Sequence, residues 1–133
     1  MELLVRLAIS GVVMGVLDAM WLSVVANKFY KSQIGQLLLD KPNMAAAVTF
    51  YVVYLIGVVV FVVNPAIEKE SWRHALGYGA LFGLVAYATY DLTNLATLKA
   101  WPIKLVVVDL IWGTILTAVV ALATYGVIRT WLS

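Results

Sequence analysis

Three aspartates, Asp18, Asp91 and Asp109, stand in runs of Val, Leu, Ala and Ile, where an ionised carboxylate is costly to keep. Asp91 has Tyr87 four residues before it and Asn94 three residues after it, a spacing that puts all three on one helix face. Tyr90 and Thr93 lie beside that face. Asp18 pairs with Trp21, and Asp109 with Trp112, at i, i+3. Tyr54 is the conspicuous polar residue of the one remaining apolar run. Carboxyl groups among phenols and indoles can hold a proton, a cation or a small molecule. An adjacent Asp pair can also act as acid and base, with Tyr54 or Tyr87 as a further donor. The candidate ligand-binding set is therefore Asp18, Trp21, Tyr54, Tyr87, Asp91, Asn94, Asp109 and Trp112, and no residue type here assigns a catalytic role.

Such residues need elements that bring them together. With 64% hydrophobic and 12% charged residues in 133, the composition is that of an integral membrane protein. Helices are expected over about 7–26, 45–67, 75–98 and 103–128, each long enough for a span of about 20 residues. The fold class expected is all-α: a four-transmembrane-helix antiparallel bundle forming one integral membrane domain over residues 1–133. The first run is too long for a signal-peptide core, contains Asp18 and lacks a small-residue cleavage site, so it reads as a retained helix.

In the connector "NKFYKSQIGQLLLDKPNM", Phe29, Tyr30, Ile34, Leu37 and Leu38 recur at roughly helical spacing. It reads either as a short interfacial helix between helices 1 and 2 or as a continuation of helix 1. Pro65 ends or kinks the second helix, Ser71 caps the third, and Pro102 suits the first turn of the fourth. Trp72 and Trp101 occupy positions expected of interfacial aromatics. Short connections make neighbouring helices antiparallel, so both termini share one side. Arg6, Lys69, Arg73 and Arg129 fall on that side, and Lys28, Lys31, Lys41, Lys99 and Lys104 on the other, a slight bias toward cytoplasmic 1–2 and 3–4 loops.

With about 1.5 Å of rise per residue, Asp18, Asp91 and Asp109 lie roughly 9–12 Å inside the 1–2/3–4 loop edge, and Tyr54 is at a similar depth. Every helix thus contributes a polar residue to one layer, which is expected to line a cavity opening toward the lysine-rich edge. No Lys, Arg or His lies at that depth, so three carboxylates there require protons or a bound cation to offset their charge. Gly11/Gly15 and Gly79/Gly83 are GxxxG pairs that permit close helix approach, a motif common in membrane helices. "GVLDAMWL" is similar to "ATYDLTNL", and "VYLIG" to "VDLIWG". Either these are parallel repeats of two helices each, or the likeness is a coincidence of apolar sequence.

The chain has no cysteine, and its sole histidine, His74, sits beside Arg73 at a membrane edge. Haem, redox metals and thiolate chemistry are therefore disfavoured. No cofactor and no resident metal are expected, and a hard cation held by carboxylates is the only metal that fits. A net charge of +2 without a basic run argues against nucleic acid. The partners expected are membrane lipids, a small-molecule, lipid or cation ligand, and, for transport, a second copy in a homodimer. The reading preferred is binding or transport through the Asp- and aromatic-lined cavity. The alternatives are a small membrane-embedded enzyme acting on a lipid-like substrate and a structural or partner subunit.

"DAMWLSVV", "FYKSQIG" and above all "YDLTNLATLKAWP" followed by "VVDLIWG" resemble a bacterial family of small integral membrane proteins classed as a domain of unknown function. The resemblance extends from about Leu7 to Tyr125 and implies a multi-pass protein of the bacterial inner membrane. The family's motif positions fall here on Asp18, Asp91, Asn94 and Asp109. The family supplies no reaction to carry over.

Overall fold

A computed structural model describes residues 2–38, 41 and 43–132. Asp40 and Pro42, in the first connector, lie outside the described residues. Every regular element among the described residues is helical. Helix α1 (Glu2–Trp21) passes through a wide turn, Leu22–Ala26, into α2 (Asn27–Ile34) and a tight turn, Gly35–Leu37. In the wide turn the Asn27 amide donates to the Leu22 carbonyl, one residue farther back than in an α-helix, so the chain continues without a break. The connector is thus a continuation of the first helix, a rod of 36 residues spanning Glu2–Leu37. Its length of about 54 Å exceeds a hydrocarbon layer of about 30 Å.

Helix α3 (Met44–Val58) begins where the Asn43 side chain accepts the Ala46 amide at 3.1 Å. Pro65 does not end the rod that α3 starts, which runs on to Glu68. A proline has no amide to give to the carbonyl four residues back, and the chain adapts by a second wide turn, Val59–Val63, that leads directly into α4 (Asn64–Glu68). Two bonds close α4: Glu70 N–H to Ile67 O and Ser71 N–H to Ala66 O, with Glu70 in the left-handed region at φ 52°. Ser71 then caps α5 (Trp72–Thr97) by accepting the His74 amide at 3.1 Å. Ala100, at φ 60°, turns the chain into α6 (Ile103–Val127), which Pro102 precedes, and a last wide turn covers Ile128–Leu132.

Three rods, Glu2–Leu37, Met44–Glu68 and Ile103–Leu132, are long and apolar enough to cross a membrane. Helix α5 is as long, at 26 residues, but carries Arg73, His74, Thr89, Asp91, Thr93 and Asn94. Large apolar side chains such as Val12, Val53, Phe61 and Ile111 are more than half exposed, which suits acyl chains and not water.

Helix α6 is the central post. Leu105, Asp109, Leu116, Thr117, Val120, Ala121 and Thr124 are all buried along it. It packs most extensively on α5 and next on α1. Small residues allow the α5–α6 approach: a Cβ on Gly83 would strike the Gly113 carbonyl and come within 2.7 Å of Thr117 Cβ, and one on Gly79 would meet Ala121 at 3.0 Å. The Gly79/Gly83 pair therefore has a specific partner face. The Gly11/Gly15 pair does not pack in this way, since nothing lies within 4 Å of a Cβ on Gly15.

Candidate functional site

Each of the expected site residues sits on one of these rods or on α5, but they do not form one chamber. Asp91 on α5 and Asp109 on α6 are brought together, with the Trp101 indole beside them. Asp91 is 0% exposed, and neither of its carboxylate oxygens has a hydrogen-bond partner among the described residues. Asp109 accepts a hydrogen bond from the Tyr30 hydroxyl. Helical side chains lean toward their own N-terminus, so Tyr30 reaches back along its rod to meet a carboxyl on an antiparallel neighbour. The same face of the connector packs against protein: Ile34 meets Trp101, Leu105 and Val106, and Phe29 and Tyr30 lie against that cluster.

Trp21 and Trp112 join α1 to α6 as a stacked pair, with ring centroids 4.3 Å apart and planes within 6°. The Trp21 indole lies close to the Tyr30 hydroxyl. The buried indole N–H groups of Trp21, Trp101 and Trp112 all lack an acceptor among the described residues. One acid without donors and three donors without acceptors thus occupy the α1/α2–α5–α6 junction. Unpaired buried polar groups of this kind are rare in folded proteins.

Tyr54 is buried at the bundle centre, with its hydroxyl and that of Thr117 hydrogen-bonded. Tyr87 packs its ring against Gly113, which has no side chain to exclude it. Its hydroxyl lies within Coulombic reach of Asp18, Asp109, Tyr51 and Tyr54. Asn94 is half-buried and close to Tyr90. Asp18 is not part of the acid pair. It accepts a hydrogen bond from Tyr51 and faces a separate groove between α1 and α3, of about 340 Å³, floored by Gly11 and Gly15. Asp18 and Asp91, equivalent in the repeat considered from sequence, therefore have different environments, one half-buried and bonded, the other buried and without a hydrogen-bond partner among the described residues.

A cleft of about 470 Å³ lies between α3 and α5, lined by Phe50, Ala86, Tyr87, Thr89, Tyr90 and Asp109. Toward the far side of the bundle it is closed by Phe82, whose ring meets Tyr54 edge-on at 5.9 Å and fills the space a side chain on Gly57 would need. Among the described residues Asp109 is the charged part of the lining. Among the described residues no group of three or more His, Cys, Asp or Glu side chains could hold a metal ion.

Sequence reasoning passed over Tyr30, Tyr51, Phe50 and Thr117 as site residues and took Trp101 for an interfacial aromatic, whereas Trp101 is only 7% exposed. Two of these left a signal. Tyr51 stands three residues before Tyr54 on the same helix face, and Tyr30 lies at helical spacing in the connector. Thr117 and Phe50 left none, because a lone Thr or Phe in an apolar helix is ordinary.

Compared with known proteins, residues 3–126 match the family model described as "Predicted membrane protein (DUF2177)". No curated protein and no solved structure matches the chain. The match covers nearly the whole chain, including every acidic and aromatic residue described above. The chain therefore belongs to the DUF2177 family, and it is a multi-pass protein of the bacterial inner membrane.

Proposed function

We propose that the chain forms a single four-span membrane domain that binds or transports a small molecule or cation, with Asp109 and the aromatic residues around it as the contact site and Asp91 behind them. For α5 as the fourth span the support is its 26-residue length and the outward exposure of Leu81, Leu84, Val85 and Leu92, while Asp91 points inward. The observation that carries the functional reading is the Asp91 carboxyl, wholly buried, with the Trp101 indole beside it and no hydrogen-bond partner among the described residues. Each such group costs about 1–3 kcal/mol, a cost that a purely structural role would avoid with apolar side chains. Movement of a ligand across the membrane requires a second copy, because four helices are too few to enclose a complete path.

Dicyclohexylcarbodiimide, a lipid-soluble reagent for carboxyl groups in apolar surroundings, tests the cleft. In proteoliposomes it is expected to modify Asp109, with the adduct located by peptide mass spectrometry and its rate reduced when Tyr90→Trp narrows the cleft. Absence of an Asp109 adduct in folded protein, or equal rates in the two proteins, refutes an accessible site.

Catalysis on a lipid-like substrate is a second reading, favoured by the Tyr30–Asp109 hydrogen bond, which pairs a phenol with a carboxyl at the cleft floor. It predicts a chemically altered amphiphile without any gradient, whereas transport predicts uptake of unaltered solute that is lost in Asp109→Asn.

A further inference from the structure

We propose that the occupant of the α3–α5 cleft is a lipophilic organic cation, reached sideways from the bilayer and not through the aqueous edge of the bundle. This rests on the reading above that the cleft is a ligand site, and it names the class of ligand. The lining carries one charged group, the Asp109 carboxyl, which is 7% exposed, and three aromatic rings, those of Phe50, Tyr87 and Tyr90. Aromatic faces attract cations, most strongly where water is excluded, and a buried carboxylate repels anions and is wasted on a neutral guest. The volume of about 470 Å³ falls within the range of roughly 300–1,000 Å³ typical of sites for drug-sized molecules.

The donor set separates an organic cation from an inorganic one. A hard metal cation takes roughly six to eight oxygen ligands. Here the lining offers one carboxylate, two phenols and the Thr89 hydroxyl, too few oxygens for such a shell. A weakly hydrated cation with hydrocarbon groups needs no such shell and gains from the rings.

The route is set by charge and exposure. Lys28, Lys31, Lys99 and Lys104 are all exposed at the loop edge nearest the acid pair, and they oppose a cation arriving from water. Phe50 and Tyr90, at the cleft mouth, are 50% and 54% exposed on the apolar surface of the bundle. Above them Phe82 against Gly57 shuts the gap between α3 and α5. The opening therefore faces acyl chains, where a lipophilic cation already partitions.

Radiolabelled tetraphenylphosphonium binding to the full chain in nanodiscs of zwitterionic lipid tests this, with neutral triphenylphosphine oxide and anionic tetraphenylborate as competing probes. Saturable binding of the cation is expected, displaced by neither competitor. Asp109→Asn should weaken it at least about thirtyfold, as for removal of a buried charge partner. Phe50→Ala, at an exposed position that leaves the bundle intact, should weaken it about threefold, as for loss of one cation–π contact. Preferential binding of the oxide or borate, with the same Phe50→Ala sensitivity, overturns the cation class but leaves the cleft a ligand site. Cation binding indifferent to both variants places it elsewhere and overturns the proposal. If no probe binds, the cation class falls; the ligand-site reading falls with it only where carbodiimide also leaves Asp109 unmodified.

Discussion

Replacing Asp91 with leucine should make this protein more stable. Leucine repeats the aspartate skeleton, with two terminal atoms on Cγ, so the substitution exchanges two unpartnered oxygens for two methyl groups at nearly constant shape. Asp91 is 0% exposed and neither oxygen has a hydrogen-bond partner among the described residues. At about 1–3 kcal/mol for each unpaired buried polar atom, the two oxygens cost roughly 2–6 kcal/mol. The larger methyl groups, pressed toward Asp109 and Trp101, return about 1–3 kcal/mol as overpacking. The net gain is about 1–3 kcal/mol, measurable as a rise in the unfolding midpoint in mixed dodecylmaltoside–dodecylsulfate micelles monitored by tryptophan fluorescence. The same variant should lose ligand binding, since a stored cost of this kind is characteristic of functional positions. A fall of about 1 kcal/mol or more in Asp91→Leu, with wild-type stability in Asp91→Asn, would refute the reasoning. The carboxyl would then be acting as a hydrogen-bonded tie between helices.

Gly83→Ala should destabilise by about 1–3 kcal/mol, because its Cβ collides with the Gly113 carbonyl and Thr117 on α6; Gly15→Ala, with nothing within 4 Å, should leave the same midpoint unchanged. Ala100→Gly should stabilise by about 0.5–1 kcal/mol, since Ala100 is held at φ 60° where an L side chain is strained. His74, at the membrane edge, has its imidazole held below the ordinary value, first by burial and then by Lys69. The folded state then resists protonation more than the unfolded chain does. Stability is therefore full above the ordinary imidazole value of about 6.5 and declines as pH falls below it. His74→Gln should flatten that part of the pH–stability profile in a thermal-unfolding series.

Helical class and membrane location were legible because they depend on local quantities. A run of apolar residues must hide its backbone polar groups within its own helix. Asn43 and Ser71 satisfy the amides that a helix start leaves over. The Tyr87–Asp91–Asn94 face is likewise a matter of 3.6-residue periodicity. Pro65 predicts an end or a kink, and the helix runs on past it to Glu68 by way of the Val59–Val63 turn. A proline reports a missing donor, and it does not report how the neighbouring turns redistribute their bonds.

What the sequence determined alone is the level of the acid pair: rise per residue puts Asp91 and Asp109 at similar depth, whereas Tyr54, expected in the same layer, meets Phe82 on α5 and Thr117 on α6, farther from the loop edge than either acid. The tertiary structure decided azimuth, the direction each helix turns and which neighbour it meets. That rotation sends Asp91 and Asp109 to each other and leaves Asp18 with Tyr51 in another groove. It also swings Tyr30 and Trp101, read as edge residues, onto the acid pair. Helix rotation is fixed by contacts between segments far apart in the chain, here Gly83 on Gly113 and Phe82 on Gly57. When nearly every face of a helix is apolar, its own sequence holds little record of which face will turn inward.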